Sequence, residues 1–588
     1  MNFYLKKNTK SKPFPKNSLN IINNLRLYCL NKLLNSNSNQ ANKILQSLPL
    51  FYVLFRNFLT LTLDGNQNFL NDNLFLGKGY GSTFIKEFCN ILGLSKFIDN
   101  KLQIHDNIYD TSQVEVNCTS LSFAAGLAFN QSIINKIMIK NAFLNKTYCV
   151  LGQEELSSSN FNEILNFVSK KEISNLVCIV DFTGFDQNGF ISNHTIVDYQ
   201  KWIESYGCKF LVINDGSNIN LINKILNKAI NYNQTVFIAI HNISGHGLTN
   251  ASTISSFNAQ INSQEFDLLK NRFDFEKPLD YFLNEYKEDL IFCLNLRITN
   301  RKKHYDSLIK NNKKFQDFLL LEKSEKQLDV FKKNYSFIST LLNENNLNLI
   351  FVLNTKIKID SNLNKNNRLL SCNGSENIIF NIISVIKKCN FFNPILVTDL
   401  NSLNYFNQFL KNKKMFEYGF LIYVFDNLNL LSNYTYELNG LKINKIHNFF
   451  VHDIFTLNNE WNNLNFLNNW NLYFIDENTF NVDLWEKPIV KNNLNFDINI
   501  INYGASLEIV NKFISKLENW NIQFNLINIL NTKKISEKLN LDTNKPLVLL
   551  NVDENHWINS YLLNIKNKKH IVKFTNEELD NFCINFKK

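Results

Sequence analysis

The chain has 588 residues, with 62 lysines and arginines against 52 acids and 45% hydrophobic residues, among them 51 Phe and 21 Tyr. That length and apolar content exclude a mini-protein and a globally disordered chain, and leave room for several cored domains. The net charge of +10 is nearly all lysine, with six arginines and short basic runs such as Arg301-Lys302-Lys303, so a nucleic-acid surface is not expected.

In chain order, the N-terminal stretch is basic but lacks a following apolar core, and no run of about 18 uncharged apolar residues follows anywhere. Neither a secretory signal nor a membrane span is expected, and a cytoplasmic location is. A glycine cluster, Gly77-Lys78-Gly79-Tyr80-Gly81-Ser82, precedes an amphipathic run from Thr83 to Leu92. It suits either an ordinary helix-capping turn or a cradle of backbone N–H groups for phosphate. Continuous apolar strands follow at Thr147–Gly152, Leu176–Asp181, Phe210–Asn214 and Val236–Ile240. Helical patterns lie between them at Phe161–Ser169 and Ile219–Asn231. Short apolar strands alternating with helices predict a parallel sheet covered on both faces, with chemistry in the turns after Leu151, Val180 and Ile240.

Residues 264–340 become charged and helical. A second αβ pattern begins at Leu349–Leu353, with strands at Pro394–Val397 and Phe420–Phe425, and a third runs from Phe496–Ile500 to Pro546–Leu550. Residues 458–471, rich in Asn, read as a loop insertion. The fold class is therefore α/β, three αβ domains in series with mostly parallel sheets.

About one residue in six is Asn, a bias of the kind that AT-rich coding imposes on positions left free. Ten cysteines show no C-x-x-C pair, and several sit in apolar runs as small core residues, which suits a reducing compartment. The local histidine pair, His241 and His246, has the wrong spacing for a helical metal site. Walker, nucleophile-elbow, H-E-x-x-H and EF-hand motifs are absent.

The order of segments nevertheless resembles the transketolase family. Carriers are Arg26 with its helix, Asp72-Asn73-Leu74-Phe75-Leu76-Gly77-Lys78-Gly79-Tyr80-Gly81-Ser82 against D-R-F-V-L-S-x-G-H-G-S, and Leu121-Ser122-Phe123-Ala124-Ala125-Gly126-Leu127-Ala128 against L-S-x-A-x-G-[ML]-A. Ile243-Ser244-Gly245-His246-Gly247 is similar to I-I-G-x-G. The resemblance implies a thiamine-diphosphate-binding fold twice, followed by a C-terminal αβ domain. It sets the domains at 18–290 (diphosphate-binding), 341–485 (pyrimidine-binding) and 490–588, with a helical connector at 291–340. It also implies two-carbon ketol transfer between sugar phosphates, and a dimer.

At the positions the family uses, this chain departs. The metal-binding Asp of Gly-Asp-Gly and the later Asn align with Gln153 and Thr183, inside Gly152-Gln153-Glu154 and Asp181-Phe182-Thr183-Gly184. Catalytic or substrate histidines align with Gln40, Tyr80 and Phe257, and the glutamate that activates the cofactor aligns with Asn373, with Glu376 as a shifted acid nearby. The family's glycine-rich loop becomes Glu115-Val116-Asn117-Cys118-Thr119-Ser120, its acidic loop becomes Ser432–Glu437, and a phosphate-binding Arg aligns with Glu477. Neutral amides supply neither the charged oxygens that hard divalent metals favour nor a carboxylate for the proton. The expected reading is a degenerate homologue with no metal site and no bound cofactor. Its role would then be structural or regulatory, as a homodimer or paired with an active paralogue. The alternative is an active enzyme that binds thiamine diphosphate and Mg²⁺ through displaced ligands such as Glu154 and Glu376, with Asp181 a further substitute for a lost metal ligand.

Overall fold

The computed structural model describes residues 13–34, 41–62, 70–77, 80, 82–91, 93–94, 96–98, 101–103, 108–110, 118–137, 143–186, 189–193, 195–257, 259–275, 277–279, 281–313, 348–354, 368–388, 392–399, 402, 405, 421–426, 446–451, 470–476, 497–502, 507–528, 545–550, 569–572, 582 and 584–586. The chain divides into two compact units, Met1–Glu322 with Asn377–Val385, and Lys323–Glu376 with Ile386–Lys588.

In the first unit, helices α1 (Ser18–Asn31) and α2 (Ala41–Val53) precede strand β1 (Asn73–Leu76) and helix α3 (Ser82–Ile91). A small antiparallel pair, β2 (Lys96–Ile98) and β3 (Lys101–Gln103), leads to β4 (Ile108–Asp110) and α4 (Thr119–Ile137). Then come β5 (Thr147–Gly152), α5 (Ser159–Lys170), β6 (Leu176–Phe182), the hairpin β7 (Phe185–Asp186) and β8 (Gly189–Phe190), α6 (Tyr199–Ser205) and β9 (Lys209–Ile213). The series closes with α7 (Ile219–Ala229), β10 (Val236–His241), α8 (Ile254–Phe257), α9 (Ser263–Arg272) and the long α10 (Leu283–Asn311).

The main sheet is parallel throughout, in the order β4-β1-β5-β6-β10-β9. Its central strands are buried along their length because helices cover both faces, so they carry unbroken apolar runs in place of alternation. The asparagine excess has structural uses here: Asn218 and Asn262 cap α7 and α9 by accepting the backbone N–H of Leu221 at 3.0 Å and of Glu265 at 2.8 Å. A π-helical turn, Leu54–Phe58, continues α2, and its carbonyls find a partner far along the chain. The Arg297 guanidinium on α10 donates to Phe55 O at 2.8 Å, to Leu59 O at 2.7 Å and to Arg56 O. Carbonyls at a helix end lack intrahelical donors, and the arginine supplies them. Tyr286, Leu290 and Leu294 of α10 lie in the same apolar core as α1, α2 and the sheet.

The second unit holds two further parallel sheets. One contains β11 (Asn348–Val352), β12 (Leu369–Ser371), β13 (Asn393–Thr398), β14 (Leu421–Asp426), β15 (Ile446–Val451) and β16 (Trp470–Asp476), in the order β12-β11-β13-β14-β16-β15. Ranked within its own sheet, that order is second, first, third, fourth, sixth, fifth, the same permutation as in the first unit. The other contains β17 (Ile498–Asn502), β18 (Phe524–Asn528), β19 (Leu547–Leu550) and β20 (Lys569–Val572), ordered β18-β17-β19-β20 and packed on α12 (Leu507–Asn519) through Phe513 and Leu517. Helix α11 (Ile379–Lys388) begins in the 377–385 segment of the first unit.

The α/β class with mostly parallel sheets holds. One expectation is corrected: Trp470 and Asn471, read as the end of a loop insertion, open strand β16 and pair with Ile446 and His447. Flanking asparagines hid a run of strand-favouring residues, Trp470 and then Leu472-Tyr473-Phe474-Ile475. Residues 458–469, Gln40, the segment 115–117, the segment 432–437 and Glu477 lie outside the described residues.

Candidate active site

Three strand ends in the first unit converge at their carboxyl edge, where parallel sheets place ligands. Strand β5 delivers Gln153 and Glu154, β6 delivers Asp181 and Thr183, and β10 delivers Asn242; the register pairs Gly152 with Asp181 and Ile240 with Asp181. These are the turns the sequence marked out.

Asp181 is the hub. It is 2% exposed, and its two oxygens accept three side-chain donors: Tyr80 Oη at 2.6 Å and Gln46 Nε2 at 2.5 Å on Oδ2, and Asn242 Nδ2 at 2.7 Å on Oδ1. Lys43 Nζ donates in turn to Tyr80 Oη at 2.9 Å. Its ammonium also lies 4.4 Å from the Tyr80 ring centroid and 5.0 Å from that of Phe257, within cation–π range. Lys43 and Gln46 are both on α2, three residues apart, and therefore on one helix face. Burial first, then the charges of Asp181 and Glu154, push the Tyr80 hydroxyl well above its ordinary value, so it is a fixed proton donor.

Neighbouring loops fix these side chains. The Tyr80 N–H donates to Gly77 O at 3.1 Å. Phe257 ends α8, which is tied to the Ile243–Gly247 loop by Ser256 Oγ donating to Ser244 Oγ at 2.8 Å. Gly245, at φ +63°, lies where a Cβ would approach Ser256 Cβ to 2.8 Å, so the loop needs a glycine there.

Two carboxylates occupy space beside glycines. Both Glu154 oxygens lie 2.3 Å from where a Cβ on Gly152 would sit, and Glu155 Oε1 lies 2.2 Å from that point on Gly77. Glu155 Oε2 also accepts the Cys118 N–H at 3.0 Å. Gln153 is 8% exposed and its Oε1 accepts the Gly184 N–H at 3.4 Å; Thr183 Oγ1 exchanges hydrogen bonds with the Phe185 backbone at 3.4 Å. Among the described residues no group of three or more His, Cys, Asp or Glu is placed to share a metal ion. No helix among them is long and apolar enough to cross a membrane.

A family model described as "Transketolase, thiamine diphosphate binding domain" matches residues 17–319, just over half of the chain. The chain belongs to the transketolase family. It is 21% identical over 283 residues to the transketolase of Geobacillus stearothermophilus, a match covering 45% of this chain and 42% of that one. With the Staphylococcus aureus (strain MRSA252) transketolase it shares 22% over 244 residues, covering 39% and 37%. The chain thus matches well under half the length of these relatives in sequence. In three dimensions it resembles the transketolases of Campylobacter jejuni (TM-score 0.73, 14% identity, 98% of each chain) and Leishmania mexicana (TM-score 0.73, 12% identity, 97% and 98%). At such identities the likeness is one of fold.

Of the residues picked from this transketolase-like sequence, the fold gathers Tyr80 and Phe257 around Lys43, and places Gln153, Glu154 and Thr183 at the adjacent strand ends. Asn373 and Glu376 follow β12 in the second unit, where Asn373 Oδ1 accepts the Asn354 N–H at 3.1 Å. Sequence reasoning missed Lys43, Gln46 and Asn242. Lys43 is the one charged residue of the helix Ala41–Val53, and Gln46 lies three residues on, one turn along the same face; that spacing was the available signal.

Proposed function

We propose that this chain keeps the transketolase fold without thiamine-diphosphate catalysis, and that its first unit is closed by its own side chains. The observation that carries this reading is the Lys43–Tyr80–Asp181–Gln46 cluster, completed by Asn242. A divalent metal gripping a diphosphate needs anionic oxygens with free lone pairs and small residues beside them. Asp181 already accepts three donors, Gln153 offers one neutral oxygen that already accepts a backbone N–H, and Glu154 covers Gly152. A diphosphate would also bring its negative charge next to Glu154, Glu155 and Asp181, opposed in this cluster by Lys43. The residues present do not fit the group.

The remaining role under this reading is structural or regulatory, through association with a second copy or with an active relative. Displaced ligands receive little support: Glu376 accepts the Gly374 N–H at 2.8 Å, and Glu154 is folded over Gly152.

Calorimetric titration of the full-length protein with thiamine diphosphate and Mg²⁺ tests the reading. No saturable heat is expected at cofactor concentrations well above micromolar, and micromolar binding would overturn it. Light scattering of the same sample reports whether a dimer forms.

A further inference from the structure

The second unit contains an Asn-Gly step whose surroundings are arranged as a reaction site. Strands β11 and β12 run parallel and in register, with Val352 beside Ser371, and Cys372 N–H donating to Val352 O at 2.8 Å extends the pairing by one residue. Beyond it, Asn354 takes a left-handed φ of +49° and aims its backbone N–H at Asn373 Oδ1, 3.1 Å away. Gly374 follows at φ +81°, in a turn closed by Ser375 N–H on Cys372 O at 3.0 Å. The Gly374 N–H points at Glu376 Oε1, 2.8 Å away. Asn373 and Gly374 are both exposed, so water reaches them.

We propose that Asn373 is a site of fold-assisted deamidation, with Glu376 as the base and the Asn354 N–H as the oxyanion donor. The Gly374 nitrogen attacks Asn373 Cγ, and its proton passes to Glu376 Oε1. The developing negative charge on Oδ1 is held by the Asn354 N–H, a role that backbone donors fill at acyl centres. The Cγ–Nδ2 bond then breaks, Nδ2 takes a proton from Glu376 and leaves as ammonia, and a five-membered succinimide remains. Water opens that ring at either carbonyl, leaving aspartate or isoaspartate at 373. The sum is one water consumed and one ammonia released, with no redox change. Glycine at 374 matters twice, since it tolerates the positive φ and places no side chain against the attacking nitrogen. The product carries a new carboxylate three residues from Glu376, at the position that the sequence aligns with the family's glutamate.

The sequence holds three Asn-Gly steps, at 188–189, 373–374 and 439–440, and these provide internal references. The full-length protein is incubated at neutral pH in ¹⁸O-water, folded or in concentrated urea, and digested. Mass spectrometry then follows the exchange of NH for labelled O at each step. In urea the three sites are expected to react alike. In the folded protein, Asn373 should react about a hundredfold or more faster than in urea, the low end of what a positioned base contributes. E376Q should bring the folded rate down to the urea rate and leave the urea rate unchanged. A folded wild-type rate equal to or below the urea rate overturns the proposal, and so does a folded E376Q protein that reacts as fast as wild type. The wild-type comparison decides by itself if E376Q does not fold.

Discussion

Tyr80 Oη stands 2.6 Å from Asp181 Oδ2, joining a loop before α3 to the end of β6 across 101 residues of sequence. Both groups are buried, so the bond replaces solvation that Asp181 would otherwise lose. Tyr80→Phe keeps the ring beneath Lys43 and removes only the hydroxyl. The expected loss is about 1.5–3 kcal/mol, as for a hydrogen bond to a charged group, read as a shift in urea midpoint. A second readout is alkaline stability. The Tyr80 hydroxyl is held protonated in the fold, whereas in the unfolded chain it ionises near its ordinary value. The unfolded state therefore binds fewer protons above about pH 10, and the Tyr80 contribution falls as pH rises through that point. Wild type should lose stability there more steeply than Tyr80→Phe.

The legible part of this molecule was its strands. Thr147–Gly152 was bounded to the residue and Val236–His241 to within one, because a two-face-buried strand must be apolar throughout. The turns named from those strands do carry Gln153, Asp181 and Asn242. What stayed hidden was pairing at a distance. Nothing local to Lys43 says that Tyr80 will be its partner, nothing local to Gln46 points to Asp181, and nothing local to Arg297 says that it will meet the carbonyls after α2. Those contacts depend on how helices pack, which periodicity constrains to a face but not to a neighbour.

His246 gives a pH dependence of the opposite sense. Burial, and then the charge of Arg26, lower its pKa from about 6.5 to about 4, against a weaker pull from Asp215. Its ring stacks on Phe273 at 6.2 Å, and the Arg26 guanidinium lies 5.7 Å over the same ring. The fold thus holds the neutral imidazole. Between about pH 6.5 and 4 the unfolded chain binds the extra proton, so stability is present above that window and is lost as pH falls through it. Urea midpoints at pH 7 and pH 5 should differ more for wild type than for His246→Asn, since carboxylates elsewhere titrate equally in both. His246 Nε and Cε NMR shifts that titrate near 6.5 would contradict the assignment.

Asp72 anchors the start of β1 to α10. Its carboxylate accepts Thr60 N at 2.9 Å, Lys146 N at 2.7 Å and Arg301 through NH1 at 2.9 Å and NH2 at 3.2 Å, while only 1% exposed. Asp72→Ala strands the Arg301 guanidinium without its counter-charge and leaves two backbone donors unmet. Breaking one side of a buried pair costs about 3–5 kcal/mol, so a large fall in Tm is expected. The double variant Asp72→Leu with Arg301→Met removes both charges and should recover part of the loss. A double variant no more stable than Asp72→Ala would place the effect in the backbone donors alone.

Gly126 tests a contact that its motif conceals. In Leu121-Ser122-Phe123-Ala124-Ala125-Gly126-Leu127-Ala128 it sits mid-helix in α4, where glycine costs about 1 kcal/mol against alanine unless packing requires it. Packing does require it: a Cβ there would stand 2.8 Å from Ile382 Cα and 2.9 Å from its carbonyl oxygen, both backbone atoms of the 377–385 segment. Ser122, one turn earlier, accepts Asn381 Nδ2 at 3.0 Å, and Glu163 accepts Asn377 N at 2.9 Å, so the segment is held at several points and cannot simply slide away. Gly126→Ala therefore sets a helix-propensity gain against an overpacked backbone contact. Overpacking of this kind costs about 1–3 kcal/mol, and the net change should be destabilising. Hydrogen exchange locates it: protection at 377–385 should fall in the variant, while that of β5 and β6 follows only the global stability. A variant as stable as wild type, with protection at 377–385 unchanged, would mean that the close approach of α4 to Ile382 does not exist in solution.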